Sequence, residues 1–169
     1  MNKHELSKRL IQEYQSFIDF ISSLSNEDLI RSQDDKWNPS QQLQHVYLCL
    51  RAIQLAIALP KFIPTILFGK SKKGSRTYES LVETYQLKLK NGGKSPSFYE
   101  PKKSVKDVGK LKIDLIHLVN IISNQLSHFQ ENDLDSFLLP HPLLGKLTAR
   151  ELIFFAIYHV GHHQKQIEK

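Results

Sequence analysis

A chain of 169 residues, 40% of them hydrophobic, can bury one core without disulfide or metal staples, so one domain over 1–169 is expected. The single cysteine, Cys49, excludes an intrachain disulfide and a zinc-finger framework. With no apolar signal core and no run near the ~18 apolar residues of a membrane span, the reading is a soluble, cytoplasmic protein with no membrane partner.

The net charge of +6 is uneven: residues 61–110 hold twelve Lys/Arg and four Asp/Glu, giving +8 there and −2 elsewhere. Such a segment attracts nucleic acid or a small anion through the same long-range field. On composition a solvated surface connection is favoured over both.

Leu6, Leu10, Tyr14 (or Ile11), Phe17, Ile21 and Leu24 recur at intervals of three and four, which predicts a first helix over about Lys3 to Leu24. "SNED", Ser25 to Asp28, reads as a short capped turn leading into a loop. In "WNPSQQ", Asn38 can cap, Pro39 suits the first helical position and Gln41 completes a capping box. This second helix extends to about Leu59, where Pro60 ends it.

Residues 60–103 are dense in proline and glycine, so loops around short helical pieces are expected, Tyr78 to Lys90 being the clear piece. "FIPTILF" is short, apolar and ambiguous between helix and strand. "SVKD", Ser104 to Asp107, resembles a capping signature, and apolar spacing from Val108 to Phe129 predicts a third long helix ending near Gln130. "LLPHPLLGKL" reads as a turn-rich approach, after which Thr148 caps and Glu151 completes the box of a last helix, Glu151 to about Ile167. No alternating strand pattern of useful length appears. The fold class is therefore all-α, a four-helix bundle with a long crossover between the second and third long helices.

The last helix carries "YHVGHHQKQ", in which His159 and His163 stack a turn apart on one face with Leu152, Phe155 and Ala156 upstream on the same side. Two inward imidazoles can grip one metal, and bundles draw further ligands from facing helices. His45, mid-helix in "QLQHVYLC", is the natural third ligand, and Cys49 one turn later competes with it. His162 lies about 60° round the wheel from His159 and is placed third among the three terminal histidines. Three neutral histidines with an open fourth position resemble a catalytic site, whereas buried histidines satisfied by hydrogen bonds are the bland alternative.

Other chemistries fit less well. A peptidase H-E-x-x-H needs glutamate where Val160 stands, and "NGGKS" lacks the upstream glycine, strand and helix of a phosphate loop. A Cys49 nucleophile is disfavoured against a small core cysteine, and carboxylates do not cluster at E-x-x-H spacing.

"KWNPSQQLQHV", "HPLLGKLTARELI" and "YHVGHHQKQI" occur in an order and helical placement that resembles the DinB-like superfamily, whose branches include the YfiT-like thiol transferases. The resemblance implies a four-helix bundle, often a homodimer, with a divalent metal held by His45, His159 and His163. It also implies a small-molecule substrate and, in some branches, transfer to bacillithiol, mycothiol or glutathione; others point to hydrolysis or carry no assigned activity. A cation favours the thiolate of a thiol beside it, or lowers the pKa of water toward roughly 7, so one site suits either reaction. Three imidazoles suit zinc or nickel first, and iron or copper as well.

Arg51, Lys36 and Arg150 lie near the motif segments and could hold a carboxylated thiol, against the commoner fate of surface solvation. Trp37 is expected to plug the entrance of the second helix, and Glu151 to serve as cap. His141 either lines the site mouth or bonds a nearby carbonyl. No general acid or base is visible beside the histidines, and His4, His117 and His128 receive no role. The competing functions are a non-enzymatic metal- or ligand-binding bundle and, further back, nucleic-acid binding through residues 61–110.

Overall fold

The structure, a computed structural model, describes residues 1–32 and 36–168. It is mostly helical, with eight α-helices and one two-stranded sheet among the described residues. In chain order these are α1 (Lys3–Ser23), α2 (Asn26–Ile30), α3 (Pro39–Ala58), α4 (Phe62–Phe68), α5 (Tyr78–Lys90), a 3-10 turn (Ser97–Tyr99), α6 (Val108–Ser127), α7 (Glu131–Ser136), β1 (Leu138–His141), β2 (Gly145–Thr148) and α8 (Ala149–Ile167).

Local chemistry sets the ends of the long helices. Asn2, Asn38 and Thr148 each accept from the backbone N–H three residues on, while Glu5, Gln41 and Glu151 reach back to the cap, closing three capping boxes. Pro39 occupies the first turn of α3, where a missing N–H costs nothing. The chain then bends by 103° between α3 and α4, as expected where Pro60 cannot continue a helix.

α1 and α3 each pack on both α6 and α8, and α5 lies along α8. The stripe predicted for α1 is the buried one: Leu6, Leu10, Tyr14, Phe17 and Ile21 are almost wholly enclosed. From Ala149 to Val160, α8 is buried at every position but Tyr158, because α1, α3, α5, α7 and the hairpin cover it on several sides. A helix surrounded in this way loses its polar face. No single helix among the described residues is long and apolar enough to cross a membrane.

"FIPTILF", ambiguous in the sequence, is helical: it forms α4, with Phe62, Ile66 and Leu67 exposed. Three expectations need correction. The third long helix is capped by Asp107, whose side chain accepts from Lys110 N at 2.7 Å, and not from Ser104. It ends at Ser127, and a further short helix, α7, follows.

The third correction concerns "LLPHPLLGKL", which with Thr148 forms an antiparallel hairpin pairing Leu138 with Thr148, Leu139 with Leu147, Pro140 with Lys146 and His141 with Gly145. Four-residue strands are too short for alternation to register, yet Leu139 and His141 do point inward and Pro140 outward. Gly145, at φ 77°, supplies the left-handed conformation that ends the three-residue loop.

Several basic residues of the 61–110 segment are committed internally. Lys61 pairs with Asp133, Lys110 with Asp114 at 2.6 Å and Arg76 with Glu151 at 2.8 Å.

Candidate metal centre

α3 and α8 face each other across the core, and their histidines meet there. Nε2 of His159 lies 3.3 Å from Nε2 of His45 and 3.0 Å from Nε2 of His163. Helical spacing brings His159 and His163 together on α8, and the packing of α3 on α8 supplies His45. Cys49, one turn beyond His45, brings Sγ to 3.6 Å from His45 Nε2. His45, Cys49 and His159 offer ligand atoms within 4.8 Å of one another, a His-Cys-His cluster that could hold a metal ion.

The outer nitrogens decide what the inner ones present. Nδ1 of His45 lies 2.8 Å from the carbonyl oxygen of Tyr99, which can only accept, so the proton of His45 sits on Nδ1. Nδ1 of His163 likewise donates to Oε1 of Gln42. The orientation of that amide is set on its other side, where Nε2 of Gln42 donates to the Trp37 carbonyl and to Gln166 Oε1, each at 3.4 Å. Both rings therefore turn an unprotonated Nε2 toward His159. A single proton on His159 could satisfy only one of them.

Burial opposes charge throughout. It pushes the His45 ring below the usual imidazole range, and it pushes His159 and His163 well below it, with neighbouring imidazoles adding to the effect. Burial also pushes the Cys49 thiol up to about 12. Buried imidazoles held neutral, two of them turning a lone pair toward the third ring, are a donor set that suits a divalent cation of the zinc type.

A cavity of about 190 Å³ opens beside the cluster, with His45, Cys49 and His159 in its wall. The crossover forms part of its wall through Ser95, Pro96 and Tyr99. Gly93 makes its close approach possible, because a Cβ there would lie 2.7 Å from Lys88 O and from Leu143 Cδ1.

His141 lines this cavity, as one of the two sequence readings has it, and among the described residues it bonds no carbonyl. Its Nδ1 instead accepts from the amides of Leu143 and Leu144 at 3.2 and 3.0 Å. Burial pushes its pKa down to about 4. Trp37 packs its ring 4.9 Å from that of His45, closing the entrance end of α3 over the cluster. His162 lies off the convergence point, half-buried, bonded to Gln166 at 2.9 Å and stacked on Tyr158.

The cationic candidates lie elsewhere. Arg150 begins α8, nine residues and about 13 Å along the axis from His159. Its guanidinium bonds Asp135 at 2.6 Å, Glu131 at 2.7 Å and the carbonyl of Met1 at 2.6 Å, so it is a structural clamp and not a cofactor anchor. Arg51 is exposed, Lys36 lines a separate surface pocket with Trp37, and the cation at the cavity is Lys94. Glu151 caps α8 as expected and also accepts from Arg76 N and Nε at 2.9 and 2.8 Å, tying the crossover to α8.

Sequence reasoning missed Gln42, Tyr85 and Tyr99. Gln42 had a readable signal, three residues before His45 on the same face of the helix. Tyr85 follows Leu81 by one turn on the buried stripe of α5. The carbonyl of Tyr99 is a backbone atom, and no residue type announces it.

The profile of the DinB superfamily matches residues 9–167, which span α1 through α8 and include all three convergent histidines. The chain belongs to the DinB superfamily. No curated protein and no solved structure matches it.

Proposed function

We propose that this chain is a divalent-metal protein in which Nε2 of His45, His159 and His163 hold the ion, and that it acts on a small molecule in the adjacent cavity as a thiol S-transferase or a hydrolase. The four long helices are read as a four-helix bundle whose facing interior surfaces build the site. The observation that carries the proposal is the tautomer pattern: Tyr99 O and Gln42 Oε1 fix the protons of His45 and His163 on Nδ1, leaving two lone pairs aimed at His159. Outer partners of this kind orient metal-ligating imidazoles and raise their basicity.

A zinc or nickel ion held by these residues would supply Lewis acidity, lowering the pKa of a nearby thiol or water. The chain supplies the rest. Gln42 and the Tyr99 carbonyl hold the rings, Trp37 covers the cluster, and apolar walls from Ile53, Leu152 and Phe155 exclude bulk water from the reacting groups. In transfer, sulfur bonds to the electrophilic carbon, the leaving group departs with its electron pair and the thiol proton goes to solvent.

Elemental analysis of untagged protein tests the metal. About one ion per chain is expected, lost in His45→Ala and His163→Ala. No uptake after incubation with zinc and nickel would end this reading. Turnover is tested with glutathione and chlorodinitrobenzene, following thiol loss before and after chelation. A homodimer belongs to the same proposal, supported by apolar Phe62, Ile66 and Leu67 exposed on α4; sedimentation at micromolar concentration checks it.

A further inference from the structure

We propose that Nε2–H of His141 and the hydroxyl of Tyr85 form a neutral donor pair that receives the carbonyl oxygen of an uncharged, largely apolar small molecule bound in the cavity beside the histidine cluster. The inference deepens the function proposed above and rests on it for the identity of this cavity as the substrate's place.

The tautomer of His141 follows from its turn. A nitrogen that accepts from two backbone amides carries no proton, so Nδ1, facing Leu143 N and Leu144 N, is bare and the hydrogen is on Nε2. No described residue offers Nε2 a hydrogen bond, and none bonds the Tyr85 hydroxyl. Among the described residues, Gln125 Oε1 is the one buried side-chain polar atom that is both sealed from solvent and unpartnered. Both donors therefore border open space, and the space that both residues line is the cavity.

Both side chains are nine-tenths or more enclosed, His141 being 9% and Tyr85 7% exposed, so their directions are fixed by packing. They flank one ring: Phe155 lies 4.2 Å from His141 and 5.2 Å from Tyr85 between centroids. Phe155 in turn packs 4.8 Å from His159, which puts the donors on the wall that leads to the histidine cluster.

The walls select the ligand. Two fixed donors call for an acceptor, and the cavity is lined by no carboxylate among the described residues. Ile53, Ala56, Leu152 and Phe155 favour an apolar body. A buried anion would meet neutral donors and lose its hydration, since Lys94, the one cation of the lining among the described residues, is exposed at the rim. A ketone, aldehyde, ester or amide carbonyl satisfies all three conditions, and donation to its oxygen makes the carbonyl carbon more electrophilic.

The test uses the full chain labelled with 15N-histidine and two probes of matched shape, acetophenone and α-methylstyrene, whose C=CH₂ replaces the C=O. Long-range proton–nitrogen spectra are expected to show His141 as the Nε2–H tautomer, with Nε2 shifted by acetophenone and not by α-methylstyrene. Acetophenone is expected to bind about 3- to 10-fold more tightly, the span of one or two neutral hydrogen bonds. That preference falls to near parity in His141→Phe and partly in Tyr85→Phe, a substitution that removes one oxygen and leaves the ring packing intact.

An Nδ1–H tautomer in the wild type, equal affinity for the two probes, no saturable binding of acetophenone, or a preference unchanged in both variants would each overturn the inference. The titrations are run on chelated and zinc-incubated protein. A preference present in chelated protein that takes up no zinc would keep the donor pair while the metal reading fails; metal uptake without any preference would do the reverse.

Discussion

The carbonyl of Tyr99 accepts from Nδ1 of His45 at 2.8 Å, so the crossover between α5 and α6 determines which nitrogen of an α3 histidine is free. Tyr99 ends the 3-10 turn Ser97–Tyr99, and its ring packs 4.4 Å from Phe98. The long basic connection is thus part of the site: it forms a cavity wall, it sets a tautomer, and through Arg76 and Glu151 it is anchored to the helix that carries His159 and His163.

Gln42 performs the same service for His163, and it can be removed without touching any of the proposed ligands. Gln42→Leu is expected to weaken zinc binding by roughly 10- to 100-fold, the usual effect of losing such an outer partner, while the chain remains folded. Competition against a chromogenic chelator reads the affinity directly. An affinity equal to wild type would show that the ring of His163 needs no such support.

Much of this was legible in the sequence, and the boundary is physical. Capping residues and apolar stripes act locally, so α1, α3, α5 and α8 could be placed within a residue or two from Asn38, Pro39 and Thr148 and from the Leu6-to-Ile21 stripe. The juxtaposition of His45 with the α8 histidines was legible because both lie on inward faces. Arg150 was misjudged because sequence proximity to a motif says nothing about the nine residues of helix that separate it from His159. The hairpin escaped because strands of four residues, one containing Pro140, carry too few positions for a period of two to show. Tautomers escaped because a backbone carbonyl set one of them.

Cys49 competes with His163 for a place in the cluster, and protonation separates the two. Burial pushes its thiol up to about 12, so near neutral pH it carries a proton that a ligand must lose, whereas the imidazoles are already neutral. Cys49→Ala is therefore expected to keep its metal and His163→Ala to lose it. Cobalt substitution gives an independent reading: the wild-type spectrum should lack the intense near-ultraviolet band of sulfur-to-cobalt charge transfer. A strong band that disappears in Cys49→Ala would place sulfur in the coordination sphere.

His141 makes a prediction in acid. Its folded pKa of about 4 lies below the ordinary 6.5, so between those values the unfolded chain binds a proton that the folded chain refuses. Stability from this group is complete above pH 6.5 and falls as the pH drops toward 4, by up to about 1.4 kcal/mol per pH unit. Urea denaturation of chelated protein across this interval should show the decline, and His141→Phe should flatten it by the slope of one proton. Equal slopes in the two proteins would mean that His141 is protonated in the folded state.

Arg150 tests whether stability and site can be separated. Its hydrogen bonds hold the carboxyls of Asp135 and Glu131 below their usual range, and it joins Met1, α7 and α8 at one point. Arg150→Met keeps the apolar stem and releases two carboxylates that are 37% and 46% exposed, so water can take over part of their solvation. The expected cost is about 1–3 kcal/mol at neutral pH, at the low end for breaking a partly buried network. The sign in acid is also fixed. Depressed carboxylate pKa values contribute stability above about 4.5 and lose it as the pH falls through the folded values, so the variant should lose less on acidification than wild type. Its metal content should be unchanged, because the clamp lies about 13 Å along α8 from His159. Loss of both metal and stability in Arg150→Met would instead couple the start of α8 to the cluster, and would return this arginine to the site from which its ion pairs remove it.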